Sequence, residues 1–313
     1  MTQLAECVPN FSEGRDPTTL DRLERAVGIS GAAVLDRHSD YDHNRSVLTF
    51  AADLAVIAEA VMAAAEEAVR SIDLNSHTGT HPRIGALDVV PIVALDDTPW
   101  DACVRLAQSI GGRLWSELGL PVYFYGQAAV RKERQRLETV RKLGFERLAR
   151  YVRGGEHLPD IGGPDLHASA GACCVGVRPP LVAYNIVLDC RDVEPAKRIA
   201  SLIRASGGGL PGVKALGMYL ESAQIAQVSM NITRPDLTPL PLVFDEVSRQ
   251  AAGLGVGVVG SELVGLAPRA ALGPDPRRLL IIGFHDGMVL EERLGSLHRG
   301  VEAAAKVSPS AGR

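Results

Sequence analysis

The chain has 313 residues, 46% of them hydrophobic and 22% charged, with a formal net charge of -4. That length is enough for two domains with cores of their own, and the charge supplies no basic footprint for nucleic acid. The opening MTQLAECVPN lacks the charged segment and apolar run of a secretory signal, and the apolar stretch LAVIAEAVMAAAEEAV is broken by acids and too short to span a bilayer.

Hydrophobic periodicity predicts a strand at LAECVP, a turn at NFSEGRDP, and a helix over 18–27 with Pro17 just inside its start. Two strands, AAVLDRHS and RSVLTFAA, precede a long Ala-rich helix over about 54–72. The segment HTGTHPRIG leads into the strand ALDVVPIV, and a helix over about 100–118 and the strand PVYFYG complete the first half. The basic run 131–152, RKERQRLETVRKLGFERLARYV, has helical spacing and reads as a solvated surface helix with a buried stripe. A loop of glycine and small residues, GGPDLHASAG, spans 162–171.

The same order then returns. PLVAYNIVL reads as a strand and VEPAKRIASLIRAS as a helix stopped by the glycines at 207–209. VKALGMYL and AQVSMNI read as strands, 239–254 as a helix and VGVVGSEL as a strand. Both halves therefore carry β-α-β-β-α-β with helices added, so the expected class is α+β, two tandem ferredoxin-like subdomains. Each sheet would leave one face uncovered, and the expectation is that the two faces meet across a substrate tunnel. The expected divisions are 1–177, 178–300 and a disordered tail over 301–313.

Three apparent motifs weaken on inspection. His77 and His81 have the i, i+4 spacing of a zinc helix, but Gly79 separates them and Pro82 drives His81 into an extended conformation. No metal is therefore expected. GVGVVG at 255–260 matches a dinucleotide fingerprint, yet a helix precedes it and the glycines fall in a strand. Cys173 and Cys174 open an apolar strand and read as core, and the five cysteines show no C-x-x-C spacing, which suits a reducing cytosol. What stays is His81, in a loop just before a strand and flanked by Arg83 and Asp88. A histidine so placed is the default general base or acid, with a satisfied structural histidine as the alternative.

Several stretches also resemble one family. ECVPNFSEGRD, DHNRSVLTF, HTGTHPRIGALDVVP, PVYFYGQAA, PDIGGP and AQVSMNIT, together covering about residues 4–270 in order, are similar to glutamate formimidoyltransferase. The resemblance implies two βαββαβ subdomains around a tetrahydrofolate tunnel, a homodimer, and transfer of the formimidoyl group of N-formimidoyl-L-glutamate to N5 of tetrahydrofolate. It implies His81 as the catalytic histidine. The folate-binding loop corresponds to Gly162, Gly163, Pro164, Asp165, Leu166, His167, Ala168, Ser169, Ala170 and Gly171. It implies no cyclodeaminase domain in this chain.

One imidazole suffices for that reaction, taking a proton from the attacking nitrogen and returning it to the departing one. Asp36, Asp40 and Asp42, with neighbouring Asn44, are candidates at the cationic amidine. Arg45, Arg83 and Arg178 are candidates for the donor's carboxylates, each with a surface or inter-strand ion pair as its alternative. The sequence departs from the family pattern at Thr80, where glutamate often stands, at Pro241, where histidine is common, and at His38, where some relatives carry an acid. Those departures keep two alternatives open: formyl transfer between 5-formyltetrahydrofolate and glutamate, and folate binding with little turnover.

Overall fold

The computed structural model describes residues 3–95 and 97–295. The expected tail, 301–313, lies outside the described residues. The chain divides into two compact units, Met1–Pro179 and Pro180–Arg313.

In the first unit, strands β1 (Leu4–Cys7) and β2 (Asn10–Phe11) form one interrupted row. The sequence suggests a strand followed by a turn; instead the row resumes beyond Pro9, which has no amide to give a ladder. Helix α1 (Pro17–Ile29) starts at Asp16, whose carboxylate accepts from the Thr18 and Thr19 amides. The hairpin β3 (Ala33–Asp40) and β4 (Arg45–Asp53), helix α2 (Leu54–Ser71) and strand β5 (Leu87–Ala94) follow. Both rows β1 and β2 lie antiparallel between β4 and β5, and β3 lies outside β4. That is the order of a split βαβ sheet.

The sheet then grows. Helix α3 (Trp100–Leu118) ends on left-handed Gly119 and returns the chain as β6 (Val122–Gly126). Strand β7 (Cys173–Val177) inserts parallel between β5 and β6, giving seven strands. Added parallel strands are covered on both faces. Phe124 and Val175 point into the core shared with α2 and α3, and Tyr123, Tyr125 and Cys174 into a second core with Val140, Leu148 and Val152.

That second core corrects the reading of the basic run as one solvated helix. It breaks into a 3-10 turn at Lys132–Gln135 and two helices, α4 (Leu137–Arg141) and α5 (Gly144–Arg153). Gly144 has φ +69°, outside right-handed helix geometry. Arg134 is buried, paired with Asp160 at 2.6 Å, and Arg141 also turns inward.

The second unit is the simpler sheet. Strands β8 (Val182–Leu188), β9 (Val213–Leu220), β10 (Ile225–Ile232) and β11 (Val258–Val264) align antiparallel in the order β11-β8-β10-β9. Helices α6 (Val193–Ile203) and α7 (Leu240–Gly253) complete the βαββαβ order and share its core through Ile199, Ile203, Val243 and Val247. Pro241 sits in the first turn of α7, where a missing amide costs nothing. Gly260 of the apparent dinucleotide fingerprint lies within β11, so no helix opens at those glycines.

Candidate active site

The loop 72–86 between α2 and β5 is pinned to the tip of the β3–β4 hairpin. Asn44, at φ +47°, accepts from the Gly14 amide at 3.0 Å and donates to Thr78 O at 2.9 Å. The Thr80 amide and hydroxyl reach Asp42 O at 3.2 and 3.3 Å. Gly79 presses on the hairpin so closely that a Cβ there would stand 2.3 Å from His43 O. His77 points its Nε2 to Asn44 O at 2.9 Å. The two histidines of the apparent zinc motif therefore have separate neighbours. Among the described residues, no three His, Cys, Asp or Glu side chains cluster to hold a metal ion.

His81 stands half-buried over an arginine–carboxylate cluster. Asp88, on β5, has no exposed surface. Its Oδ1 accepts from the Ile84 amide at 2.8 Å and the Gly85 amide at 3.3 Å, and its Oδ2 pairs with Arg45 and Arg141, each at 2.8 Å. Arg45 also donates to Oδ1 of Asn10 at 2.6 Å, so the break beside Pro9 places Asn10 in the cluster. Nη2 of Arg141 donates to Pro82 O at 2.7 Å and lies 3.1 Å from Nδ1 of His81. Nδ1 of His81 is itself 2.9 Å from Pro82 O.

The charges follow from this geometry. Burial works to raise the Asp88 carboxyl, but Arg141 and Arg45 outweigh it and hold the group below the usual carboxylate range. Burial and the neighbouring Arg141 bring Arg45 down to about 10. Burial, then Arg45 and Arg141, push His81 down to about 2, so its imidazole is neutral.

The other expected residues are distributed unevenly. Arg83 donates to Leu74 O, His77 O and Glu146, fastening the histidine loop from within. Arg178 follows β7 and donates to Pro179 O; no hydrogen bond or ion pair joins it to His81, Arg45 or Asp88. Asp36 lies in β3 opposite Thr49, Asp40 ends that strand and grips His43, and Asp42 holds Thr80 through its carbonyl. His38 lies opposite Val47. Cys173 and Cys174 are fully buried, and burial pushes both thiols up, away from thiolate chemistry.

The glycine loop 162–171 is tied to the histidine loop through the backbone. The Leu74 amide donates to Ser169 O at 2.8 Å, that of Ala86 to Ala170 O at 2.9 Å and that of Ala172 to Ile84 O at 2.9 Å. His167 folds inward, its Nδ1 accepting from the Ala170 amide at 3.0 Å. Gly171 has φ +71°, and a Cβ on it would meet Ile84 O at 2.1 Å. Two segments far apart in sequence are thus adjacent.

Arg141, Asn10 and His43 are absent from the sequence reading of the site. Arg141 is hidden in a run whose charge suggests solvent, and only the break at Gly144 hints that the run is no single helix. Asn10 and His43 lie inside the motifs PNFSEG and DHNR without a pattern of their own.

A neutral imidazole above a cluster of excess positive charge, on the first of two split βαβ units, is equipment for acid–base group transfer onto or from an anionic substrate. Residues 4–178 match the formiminotransferase domain, N-terminal subdomain, and residues 183–274 the formiminotransferase domain. A glutamate formimidoyltransferase of Thermoplasma acidophilum is 42% identical over 295 residues, 93% of this chain and 97% of the relative. One of Streptococcus pyogenes is also 42% identical, over 87% of this chain and 91% of its own length. A formimidoyltransferase-cyclodeaminase of Sus scrofa is 43% identical over 87% of this chain, which spans 51% of that longer protein. The chain belongs to the formiminotransferase family.

Proposed function

We propose that the chain transfers the formimidoyl group of N-formimidoyl-L-glutamate to N5 of tetrahydrofolate, releasing L-glutamate and 5-formimidoyltetrahydrofolate, with His81 as base and then acid. The observation that carries this is the placement of His81: half-buried over the Arg45–Asp88–Arg141 cluster, held at Nδ1, with no hydrogen bond on Nε2 among the described residues. Nη2 of Arg141 has two hydrogens for three acceptors, Asp88, Pro82 O and Nδ1 of His81. A proton on Nδ1, donated to Pro82 O, relieves that shortage and leaves the Nε2 lone pair for substrate.

His81 then takes the proton shed by the attacking nitrogen and returns it to the departing glutamate nitrogen, so no net proton is lost. Two guanidiniums share one carboxylate, Asp88, and the surplus positive charge suits a carboxylate of the donor. In this reading the Asp42 carboxylate offsets the cationic amidine, while that of Asp40 holds His43. The loop from Gly162 to Gly171 holds the folate beside His81. Thr80 takes over a structural task through its hydroxyl bond to Asp42 O, so its departure from the family pattern leaves the chemistry to His81. The reading extends to a cytosolic homodimer; the free cysteines, four of the five buried, suit a reducing compartment.

The test follows glutamate release from N-formimidoyl-L-glutamate with tetrahydrofolate, for wild type and His81→Ala together. The variant should lose about 10²–10⁴-fold in kcat while folate binding stays within a few-fold. Folate binding without turnover in the wild type would overturn the transfer and leave formyl transfer or folate sequestration.

A further inference from the structure

The hairpin tip carries a second histidine for which the proton transfers above have no use. The His43 side chain is 11% exposed, and its Nδ1 lies 3.2 Å from Oδ2 of Asp40. The other carboxylate oxygen accepts from the His43 backbone amide at 2.7 Å. One carboxylate thus grips both the main chain and the ring of the same residue. Burial works to raise the Asp40 carboxyl, but the bonds from His43 outweigh it, so the anchor is ionised.

The anchored ring stands against His81. The two centroids are 5.9 Å apart and the planes meet at 75°, an edge-to-face contact. On its other sides His81 is held at Nδ1 by Pro82 O, which fixes where that atom lies but leaves the ring free to tilt about it. Nε2 of His43 is buried and has no hydrogen-bond partner. Mere filling of space would favour a hydrocarbon ring, which avoids an unsatisfied nitrogen. An imidazole is explained by its opposite nitrogen, because only Nδ1 can be gripped by Asp40 and so orient the ring.

Resting on the transfer reading above, we propose that His43, anchored by Asp40, is a positioning residue whose ring holds the imidazole of His81 in its reactive orientation. It touches no reacting atom itself. Gly79 adds to the precision of the contact, since its missing side chain lets the histidine loop settle on His43 O.

The experiment uses the full chain and two variants. His43→Asn keeps a side-chain nitrogen for Asp40 but removes the ring; His43→Phe restores a ring without the anchor. Thermal melts confirm that each folds. In His43→Asn, kcat should fall about ten-fold with KM within about two-fold, the signature of misorientation rather than lost binding. His43→Phe, whose ring fills the space but has no anchor, should also lose kcat, by about three- to ten-fold. Ring ¹⁵N shifts of His81 should show one tautomer in wild type and averaging in His43→Asn. Unchanged kcat and an unchanged single tautomer in His43→Asn would overturn the proposal, and so would full kcat in His43→Phe, which would reduce the ring to filling. If one variant does not fold, the other together with Asp40→Asn decides: unaltered His81 shifts in both overturn it. A wild type without transfer activity defeats the transfer reading alone, because the ring shifts still report whether His43 orients His81.

Discussion

Asp88 has no contact with water, yet two guanidiniums and two backbone amides keep it ionised. Replacing it with asparagine removes the negative charge and leaves two arginines facing each other. Asp88→Asn should therefore lower stability by about 3–5 kcal/mol, read from denaturant unfolding at pH 7. The sign of its pH dependence is set by the lowered folded-state value. Its contribution is complete above the unfolded value of about 3.9 and is lost as pH falls through the folded value, so wild type should weaken in that acid window and Asp88→Asn should not share that loss. His81 obeys a related rule. Its depression to about 2 comes from burial and two cations, so an anionic ligand that offsets Arg45 and Arg141 should raise it. Titration of the His81 ring by NMR, with and without N-formimidoyl-L-glutamate, should show the value moving up on binding; no movement would mean that the donor's carboxylates lie elsewhere.

Among the elements, the histidine loop depends on the hairpin it rests on. Its hold is a small set of backbone and side-chain bonds plus one close approach, at Gly79. A methyl there would meet the His43 carbonyl at 2.3 Å, and backbone cannot step aside as a side chain tip can. Gly79→Ala should destabilise by about 1–3 kcal/mol, the range for forced overpacking. Because the displaced segment carries His81, kcat should fall more than KM changes. Steady-state kinetics beside a melting curve separate the two effects, and an Ala variant with full kcat would show that the loop relaxes without moving His81.

At the scale of the whole molecule, each unit owns its core. Among the described residues, both cores of the first unit, on α1–α3, β1–β7 and the helices after β6, lie before Pro179, and the core on β8–β11 with α6 and α7 lies after Pro180. Chains covering 1–179 and 180–295, made separately, should each fold, seen as dispersed amide spectra and cooperative melting. The fragment 1–179 contains His81, Asp88, Arg141 and the glycine loop, so the ring shifts of His81 should match those in the full chain. A fragment that stays unfolded would show that its core is insufficient alone.

The repeated βαββαβ order was legible in the sequence because alternation and helical spacing are local properties, imposed by which face of each element is buried. That residues 77–81 form no helix was legible too, since proline disfavours helical backbone at the residue before it. The family resemblance drew on the same local words, ECVPNFSEGRD and HTGTHPRIGALDVVP. Only tertiary structure decided the company His81 keeps. Arg141 reads as solvated because charge normally seeks water, and it is inside because Asp88, fifty-three positions earlier, supplies a buried counter-charge. Arg83 meets the carbonyls of Leu74 and His77 because an irregular loop leaves them without ladder partners. The strand β7 completing the first sheet, and the packing of His43 on His81, likewise join residues whose proximity no spacing encodes. Periodicity records what each segment buries, whereas the choice of partner depends on charges and unpaired groups that meet only after the chain has closed.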